Sequence, residues 1–453
     1  MIARQIPDGA SATSGVDANR LVTRAVAAVH GWTKTAPLSR AKILSDLAQV
    51  LSDGSEDLAR LMVEEVGKPI TEARFEVAAA IDMVTAFAAW PYWGRSSRIG
   101  EQSGGVEGHV ILKPRGTVVL ITPWNYPISN PIQNIAAGLV TGNAIVWRPS
   151  PRVPRCSEAL AAIFERLGLP EGVFSSLLEA GSEGAAALVA DPRVSAISFT
   201  GSSSVGARIF GEARSPDTIV QCEMGGKNAA VVLFDANLEI AADRIVAGAF
   251  GFAGQKCTAL SRVFVEAEVA DKFQLALKAA AGAAVFGDPA DGSTQVGPVI
   301  SPEKRMELDA VVEGACARGL KPLAVEYKNA GDVSGDAFFA PHIFLDVPRA
   351  DPLMREEFFG PILAVGRVAD LDNAIEAVND SPYGLAAAIF TSDRSKARRF
   401  AAEVEAGTVK INEATPGLSV MLPATGWKSS GAGPGELADE SIRFFTKATA
   451  VIG

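Results

Sequence analysis

Apolar residues in the first part of the chain recur every three to four positions, with polar residues between them. Over residues 17–88 this spacing is typical of amphipathic helices, as in Leu44, Leu47 and Leu51, so the pattern predicts a helical lead-in. A glycine-rich stretch of alternating polarity over 96–113 then predicts a β-hairpin arm.

From residue 116 the pattern changes to short apolar runs that alternate with helical stretches. The predicted strands are 117–122, 144–147, 173–178, 196–199 and 229–233. One predicted helix follows the first strand and ends near residue 139, and two more cover 155–167 and 183–189. Apolar strands separated by helices indicate a parallel sheet with helices on both faces, and such a sheet binds ligands beyond the carboxyl ends of its strands. A second alternation over 257–409 predicts another α/β unit.

The tail, residues 444–452, alternates like an edge strand, which needs a pairing partner or cover. Together with the predicted arm it indicates a contact between subunits.

The chain has 453 residues, which is too long for one ordinary core and predicts two or three domains. It contains no run of eighteen apolar residues, and residues 1–9 lack an apolar signal core. We therefore expect a soluble protein of the cytoplasm with no membrane partner. Its four cysteines are widely scattered and form no CxxC pair, which predicts free thiols.

A formal net charge of -10 argues against a nucleic-acid partner, because affinity for a phosphate backbone comes mainly from clustered Lys and Arg. Small molecules are the expected partners. The three histidines, His30, His109 and His342, do not have a metal-ligand spacing, so we expect no metal, and any general base should be a carboxylate.

One thiol lies in a polar segment bounded by glycines, residues 251–262. Cys257 follows a helical pattern over 240–250 and precedes a strand-like run over 262–266, a junction where a thiol can be exposed at a domain seam. The opposing interpretation is a small buried core residue, since free cysteine is among the most buried residue types. These residues alone leave both open.

Residues 199–206 (FTGSSSVG) follow a predicted strand and open a predicted helix. Backbone N–H groups at a helix N-terminus attract a phosphate, which makes this turn a candidate nucleotide site. Because the motif is not GxGxxG, an ordinary strand-to-helix turn explains it equally well.

Eight short motifs carry a resemblance to a known family. They are PWNYP at 123–127, GN at 142–143 with RPS at 148–150, FTGS at 199–202 with VG at 205–206, EMGGK at 223–227, GQKC at 254–257, EEFFGP at 356–361, NDSPYGL at 379–385 and GTVKIN at 407–412. In this order and approximate spacing they resemble the aldehyde dehydrogenase superfamily over nearly the whole chain.

The resemblance implies an α/β fold with a Rossmann-like cofactor domain, a second α/β catalytic domain and a small β oligomerisation arm. The dinucleotide-binding domain is expected at 1–95 and 115–225, the catalytic domain at 226–428 and the arm at 96–114 and 443–453. The family also implies a homodimer or homotetramer.

The resemblance further implies a mechanism in which Cys257 attacks an aldehyde to give a thiohemiacetal, hydride passes to a nicotinamide, and the resulting thioester is hydrolysed. The side-chain amide of Asn125 and the backbone N–H of Cys257 match the donors to the oxyanion, and Glu223 matches the general base. Without the family, Asn125 is also explained as a turn residue and Glu223 as an exposed acid before a Gly-Gly turn.

The implied cofactor is NAD or NADP. Glu357 and Phe359 match the residues that hold the nicotinamide ribose and ring, although Phe359 also fits a core aromatic. Other expected cofactor contacts are Thr122, Pro123, Trp124, Arg148, Ser150, Pro151, Gly201, Ser202 and Val205.

Arg148 stands where the family usually has a lysine, and Pro151 where NAD-preferring members have a glutamate on the ribose hydroxyls. Without that carboxylate, and with Arg152 and Arg155 nearby, we expect NADP to be accepted as well as NAD. Solvated helix charges are the other interpretation of these arginines.

Two further departures concern the reaction centre and the pocket. Asn134 replaces a lysine linked to proton relay, so deacylation is expected to depend on Glu223 and water. PATG at 423–426 replaces the family's PFGG.

The expected pocket wall comprises the loop 413–423 with Leu418, Val420, Met421 and Leu422, then Ser129, Asn130 and Gln133, and Phe87 or Trp90. Because few charges are present there, we expect an uncharged or partly apolar aldehyde.

Two other functions stay open at this point. A CoA-acylating aldehyde dehydrogenase often lacks the glutamate matching Glu223, so its presence favours hydrolysis. A non-catalytic cofactor-binding homologue is disfavoured because Cys257, Glu223 and Asn125 are all retained. A phosphorylating type needs a histidine beside its cysteine, and none is near Cys257 in sequence.

Overall fold

The computed structural model describes residues 15–92, 98–102, 106–178, 182–213, 215, 217–330, 333, 335–417 and 419–452. Residues 1–14 and 93–95 of the predicted dinucleotide-binding domain, which include the amino-terminal segment 1–9, lie outside the described residues. So do residues 96–97, 103–105 and 453 of the predicted arm and Leu418 of the predicted pocket wall.

The helices are α1 (Gly15–Lys34), α2 (Pro37–Asp53), α3 (Ser55–Val66), α4 (Ile70–Ala89), α5 (Ser129–Thr141), α6 (Pro154–Arg166), α7 (Ser182–Ala190), α8 (Ser203–Glu212), α9 (Leu238–Phe250), α10 (Ala270–Ala283), α11 (Pro302–Ala317), α12 (Pro352–Arg355), α13 (Leu371–Asn379), α14 (Arg394–Glu403) and α15 (Ala438–Phe445). The strands are β1 (Arg98–Gln102), β2 (Val106–Pro114), β3 (Thr117–Ile121), β4 (Ala144–Arg148), β5 (Phe174–Ser176), β6 (Ala196–Thr200), β7 (Ile219–Glu223), β8 (Asn228–Val232), β9 (Leu260–Glu266), β10 (Val285–Gly287), β11 (Lys328–Ala330), β12 (His342–Phe344), β13 (Ile362–Val368), β14 (Tyr383–Gly384), β15 (Ala386–Phe390), β16 (Thr408–Ile411), β17 (Trp427–Lys428), β18 (Gly431–Ala432) and β19 (Thr446–Ile452).

The helical lead-in predicted over 17–88 is confirmed as α1 to α4. Gly67 ends α3 in the left-handed region at φ 66°, where glycine carries no Cβ penalty, and Pro69 precedes the first residue of α4. α4 packs against α2, α3 and α5, so it connects the lead-in to the first sheet.

The first sheet has the strand order β18-β7-β6-β3-β4-β5, and its strands are parallel apart from the short β18. Alternate residues of β3 enter two different cores. Val118 and Leu120 pack with α2 to α6, whereas Val119 and Ile121 pack with α1, α7 and α8. Both faces are covered by helices, which explains why the strand reads as continuously apolar.

The second sheet has the order β12-β13-β9-β8-β15-β16 and is entirely parallel. It encloses its own core, to which α9 contributes Ile245 and α10 contributes Phe273 and Leu277. The prediction of two α/β units with parallel sheets is therefore confirmed.

The third sheet is the antiparallel set β1-β2-β19, in which the tail pairs with the predicted hairpin from Thr446↔Pro114 to Ile452↔Gly108. The prediction that the tail strand begins at residue 444 is wrong. Phe444 and Phe445 end α15 instead, because both rings are completely buried. Hydrophobic burial against the rest of the fold outweighs the alternating pattern there.

Within the described ranges, none of the helices combines the length and apolar composition that a membrane span requires.

Candidate active site

A cavity of about 1100 Å³ lies at the carboxyl ends of the first sheet's strands, beside α4 and α8 and against loops of the second sheet. The predicted site residues that line it are Cys257, Glu223, Asn125, Thr122, Pro123, Trp124, Arg148, Ser150, Gly201, Ser202, Val205, Glu357 and Phe359. Pro151 does not line it and is exposed in the turn after β4.

Cys257 is held by an unusual turn. Phe252 and Ala253 both have φ 52°, a left-handed conformation that costs energy for residues with a Cβ, and such strain persists only where the surroundings impose it. Gly254 must be small, since a Cβ there would lie 2.6 Å from the Gly360 carbonyl oxygen. The carbonyl of Cys257 accepts a 2.8 Å hydrogen bond from Asn228 Nδ2. The loop is therefore fixed on both sides of the thiol.

The Cys257 side chain is partly exposed at the cavity, in contrast to Cys156 and Cys222, which are buried in the cores. This excludes the interpretation of Cys257 as a core residue. Burial of the sulfur in the cavity wall and, as the second cause, the negative charge of Glu223 together raise the pKa of the Cys257 thiol to about 12. The thiol is consequently protonated at neutral pH and needs a proton acceptor to become a nucleophile.

Asn125 joins the loop after β3 to the cysteine loop. Its side-chain Nδ2 donates a 3.0 Å hydrogen bond to the backbone carbonyl of Gln255. Its backbone carbonyl accepts a 2.7 Å hydrogen bond from Lys68 Nζ. The side chain is only 5% exposed. Asn125 is thus more than a turn residue, because it connects segments that are distant in sequence.

A buried ion pair between Lys68 and Glu76 supports the Asn125 loop. Glu76 accepts hydrogen bonds from the backbone N–H groups of Ile128 at 2.9 Å and Ser129 at 3.0 Å, where α5 begins and an anion is favourable. Lys68 Nζ also lies 4.2 Å from the centroid of the Tyr126 ring. Both ends of the loop are therefore anchored to α4 and the residues before it.

Two carboxyl groups share the wall near Cys257. Glu223 ends β7, and burial raises its pKa well above the ordinary value, with the charge of Glu436 as the second cause. Burial also raises the pKa of Glu436 to about 7, although hydrogen bonds from Asn134 Nδ2 at 2.9 Å and from Gln133 oppose this. When Glu223 is ionised, its carboxylate is therefore a stronger base than that of an ordinary glutamate, which suits it to accept a proton.

The far end of the cavity is rich in arginine. Arg148, Arg152 and Arg208 line it together with Glu212, which lies 3.9 Å from Arg208. Arg155 does not line the cavity, because its guanidinium pairs with Glu64 on α3 at 2.8 Å.

The opposite end is walled by α4 and α5. Ser129, Asn130 and Gln133 line it as predicted, but Phe87 and Trp90 do not. Their place is taken by an apolar stripe at four-residue spacing on α4, which consists of Phe75, Ala79 and Met83.

The loop 413–423 contributes less to the wall than expected. Pro416 and Gly417 line the cavity, whereas Met421 and Leu422 are exposed. Val420 does not line it and packs against a small cluster formed by Met83, Ala424 and Leu437.

The profile of the aldehyde dehydrogenase family matches residues 5–451. The chain belongs to the aldehyde dehydrogenase family. It is 32% identical over 437 residues to a 2,5-dioxopentanoate dehydrogenase of Saccharolobus solfataricus, covering 95% of this chain and 90% of that protein. It is 33% identical over 433 residues to a malonate-semialdehyde dehydrogenase of Bacillus velezensis, covering 95% and 88%.

Solved structures of aldehyde dehydrogenases share the fold. A betaine aldehyde dehydrogenase from Staphylococcus aureus in complex with NAD+ superposes with a TM-score of 0.91 at 31% identity, covering 98% of this chain and 88% of that chain. A glyceraldehyde-3-phosphate dehydrogenase from Methanocaldococcus jannaschii complexed with NADP gives 0.91 at 30% identity, covering 99% and 96%. The protein is therefore an oxidoreductase acting on the aldehyde group of its substrate.

A nicotinamide dinucleotide fits the residues of this aldehyde dehydrogenase. α8 begins at Ser203 without a side-chain cap, so its first N–H groups are free to bind a phosphate beside Gly201. At the other end of the site, Glu357 accepts a 2.9 Å hydrogen bond from the Gly226 N–H, and a Cβ on Gly225 would lie 1.9 Å from the Glu357 carboxylate.

Phe359 is partly exposed at the cavity and meets the Trp124 ring edge-on, with centroids 5.8 Å apart, so it is not a core aromatic.

Several residues of the aldehyde dehydrogenase site were missed by the sequence analysis, namely Lys68, Glu72, Glu76, Phe75, Met83 and Glu436. A signal existed for Glu76, because helical periodicity places it on the buried face of α4 with Ala73, Val77 and Ala80. A charged residue on such a face is almost always paired, which would have directed attention to Lys68.

Proposed function

We propose that this aldehyde dehydrogenase oxidises an aldehyde to a carboxylic acid through a thiohemiacetal and a thioester on Cys257, and that Glu223 is the general base for hydrolysis. The observation that carries this proposal is the 3.0 Å hydrogen bond that ties Asn125 to the cysteine loop, in a cavity that Glu223 also lines.

In the first step Glu223 takes the thiol proton of Cys257, and the sulfur adds to the carbonyl carbon of the aldehyde. The negative charge that develops on the oxygen is stabilised by Asn125 Nδ2 and the backbone N–H of Cys257. The pKa values of the thiol and of Glu223 are both raised. The difference between them is therefore smaller than the difference between this thiol and an ordinary carboxylate, and the proton transfer is less unfavourable.

The chemistry that NAD or NADP supplies when bound is acceptance of the hydride from the thiohemiacetal carbon. Before hydrolysis Glu223 releases the thiol proton to solvent and is again a carboxylate. It then removes a proton from water, the hydroxide oxygen adds to the thioester carbonyl, and the carbon–sulfur bond breaks to release the acid, while the proton on Glu223 returns to the Cys257 sulfur. Asn125 stabilises the oxyanion in this step as well.

The proposed cofactor site uses the glycine turn and α8 for the pyrophosphate, with Gly201, Ser202 and Val205, and the Glu357 loop for the nicotinamide ribose. Thr122, Pro123, Trp124, Arg148, Ser150 and Phe359 complete it. We assign the cofactor to the units 1–95 and 115–225 and the nucleophile to 226–428.

Acceptance of NADP together with NAD is part of the proposal. Arg148, Arg152 and Arg208 support it, since they provide positive charge for a 2′-phosphate, and Pro151 presents no carboxylate to repel one. Arg155 does not contribute to this charge, because its guanidinium pairs with Glu64.

For the substrate we propose an uncharged or partly apolar aldehyde. The 2,5-dioxopentanoate and malonate-semialdehyde dehydrogenases above are named for aldehydes that carry a carboxylate, but the apolar wall of Phe75, Ala79 and Met83 supports a different class for this chain.

We also propose a homodimer or homotetramer in the cytoplasm. The arm sheet exposes Ile111, Leu112 and Ile452, which supports a role of 96–114 and 443–453 in subunit contact.

The test is to follow formation of reduced nicotinamide with a panel of aldehydes, for the wild type and for Cys257→Ala. We expect turnover by the wild type and none by the variant. Equal signals from both would support a non-catalytic cofactor-binding homologue. Repeating the assay with CoA present and identifying acid or thioester separates hydrolysis from CoA acylation, and we expect the acid.

A further inference from the structure

Glu72 and Glu76 lie one turn apart on α4, and each pairs with a lysine from a different loop. Glu76 holds Lys68, whereas Glu72 Oε2 lies 2.6 Å from Nζ of Lys256, the residue directly before Cys257. Both Glu72 and Lys256 line the cavity. This second ion pair is not needed by any step of the proposed mechanism.

The fold makes room for this pair. A Cβ on Gly251 would lie 2.6 Å from Glu72 Oε1 and 3.1 Å from Lys256 Nζ, so a side chain there would displace it. Lys256 is 8% exposed, and a lysine buried to that extent is stable only when it is paired.

The pair determines which charges an aldehyde meets. Among the described residues of the cavity wall, Arg148 ends β4, Arg152 lies in the turn that follows and Arg208 lies on α8. Lys256 is the basic residue of the wall that is adjacent to the nucleophile in the chain. The ammonium of Lys256 is already neutralised by Glu72. A carboxylate on the substrate would have to displace Glu72, and the wall near Cys257 also contains the carboxyl groups of Glu223 and Glu436. Glu76 adds no net charge to this wall, because Lys68 pairs with it.

Juxtaposed like charges discriminate strongly against a ligand, whereas an uncharged group meets no such penalty. Phe75, Ala79 and Met83 lie on the same helix as Glu72 and offer apolar contact to the body of an uncharged substrate.

We propose that the Glu72–Lys256 ion pair is a charge filter, which makes the enzyme select uncharged aldehydes and reject aldehydes that carry a carboxylate. The proposal rests on the proposed function, in that it assumes an aldehyde to be oxidised at Cys257.

The experiment compares succinic semialdehyde with its methyl ester, which is similar in shape and uncharged, at saturating cofactor. For the wild type we expect kcat/KM to be at least about tenfold higher for the ester. In Glu72→Gln the freed Lys256 can pair with the substrate carboxylate, so we expect this ratio to fall by about tenfold or more.

Lys256→Met is the second variant and acts in the opposite sense. It leaves Glu72 unpaired and removes the cation, so the preference for the ester should increase. Asp46→Asn is the matched control, because it breaks the exposed pair with Lys42 on α2. Its ratio should equal that of the wild type.

A wild type that prefers succinic semialdehyde, or a ratio that is unchanged in both Glu72→Gln and Lys256→Met, overturns the filter alone. If the wild type oxidises no aldehyde at all, the proposed function fails and the filter fails with it. The two failures are therefore distinguishable.

Discussion

Asn125 and Gln255 are joined by a hydrogen bond of 3.0 Å from a side-chain amide to a backbone carbonyl, although 130 positions separate them in the chain. Gln255 is two residues before Cys257. The hydrogen bond therefore attaches the proposed oxyanion donor, Asn125, to the loop that carries the nucleophile. A displacement of either loop moves both groups together.

Replacing Asn125 by Ala should lower kcat by about 10²–10³, because one donor to the oxyanion is lost. KM should change little, since the donor acts mainly on the charge that develops during reaction. Steady-state kinetics with one aldehyde checks this. A fall in kcat below tenfold, with the protein folded, would contradict the role given to Asn125.

The Lys68–Glu76 pair gives a stability prediction. Lys68→Met leaves the Glu76 carboxylate buried without its cation, which should cost about 3–5 kcal/mol of unfolding free energy. Because Lys68 also binds the Asn125 carbonyl, kcat should fall in parallel. Denaturant unfolding and kinetics on the same preparation measure both.

Two controls belong to this experiment. Asp46→Asn, in an exposed pair, should change the unfolding free energy by less than about 1 kcal/mol. The double variant Lys68→Met/Glu76→Gln should recover part of the stability, because no buried charge is then left alone. A Lys68→Met protein as stable as the wild type would show that the pair is dispensable.

Cofactor choice provides a third prediction. The wild type should use NAD and NADP with kcat/KM values within about a hundredfold of each other. Arg152→Ala should lower kcat/KM for NADP, relative to kcat/KM for NAD, by about tenfold, since a charge-assisted contact to the 2′-phosphate is lost. Arg155→Ala is the matched control, because Arg155 pairs with Glu64 and does not line the cavity. A wild-type preference for NAD above about a hundredfold would contradict the proposal.

Local patterns were sufficient for the parts of the fold in which neighbouring residues decide the structure. The five residues of β3 are all buried, so its apolar run identified it. The glycine-bounded junction at Cys257 allowed a thiol at a domain seam but did not exclude a buried one, and the structure shows a partly exposed thiol. The resemblance supplied the roles of Asn125 and Glu223, which their own sequence context did not distinguish from a turn residue and a surface acid.

The remaining features depend on partners that are far away in sequence. Glu72 reads as a solvated helix charge until Lys256 is known to meet it, 184 positions further along the chain. Phe444 and Phe445 fit an alternating strand, and only the depth of their burial makes them the end of α15. Tertiary contacts of this kind outweigh local preference, which is why pattern alone did not find them.

Glu436 gives a prediction of pH-dependent stability. Its folded pKa of about 7 lies above the pKa of about 4.3 that a glutamate has in an unfolded chain. Below the lower value both states are protonated. Between the two values the unfolded state releases the proton first, so the free energy of unfolding falls as the pH rises, by on the order of 3 kcal/mol in total, and then levels off.

Glu436→Gln should remove this contribution, because an amide does not titrate, and its unfolding free energy should approach or exceed that of the wild type above neutral pH. Glu223 also has a raised pKa and contributes in the same direction, so some decline should persist in the variant. Urea unfolding of both proteins at several pH values between about 4 and 8 measures the difference. Parallel pH profiles for the two proteins would mean that Glu436 ionises as easily in the fold as in water, against the effect of its burial beside Glu223.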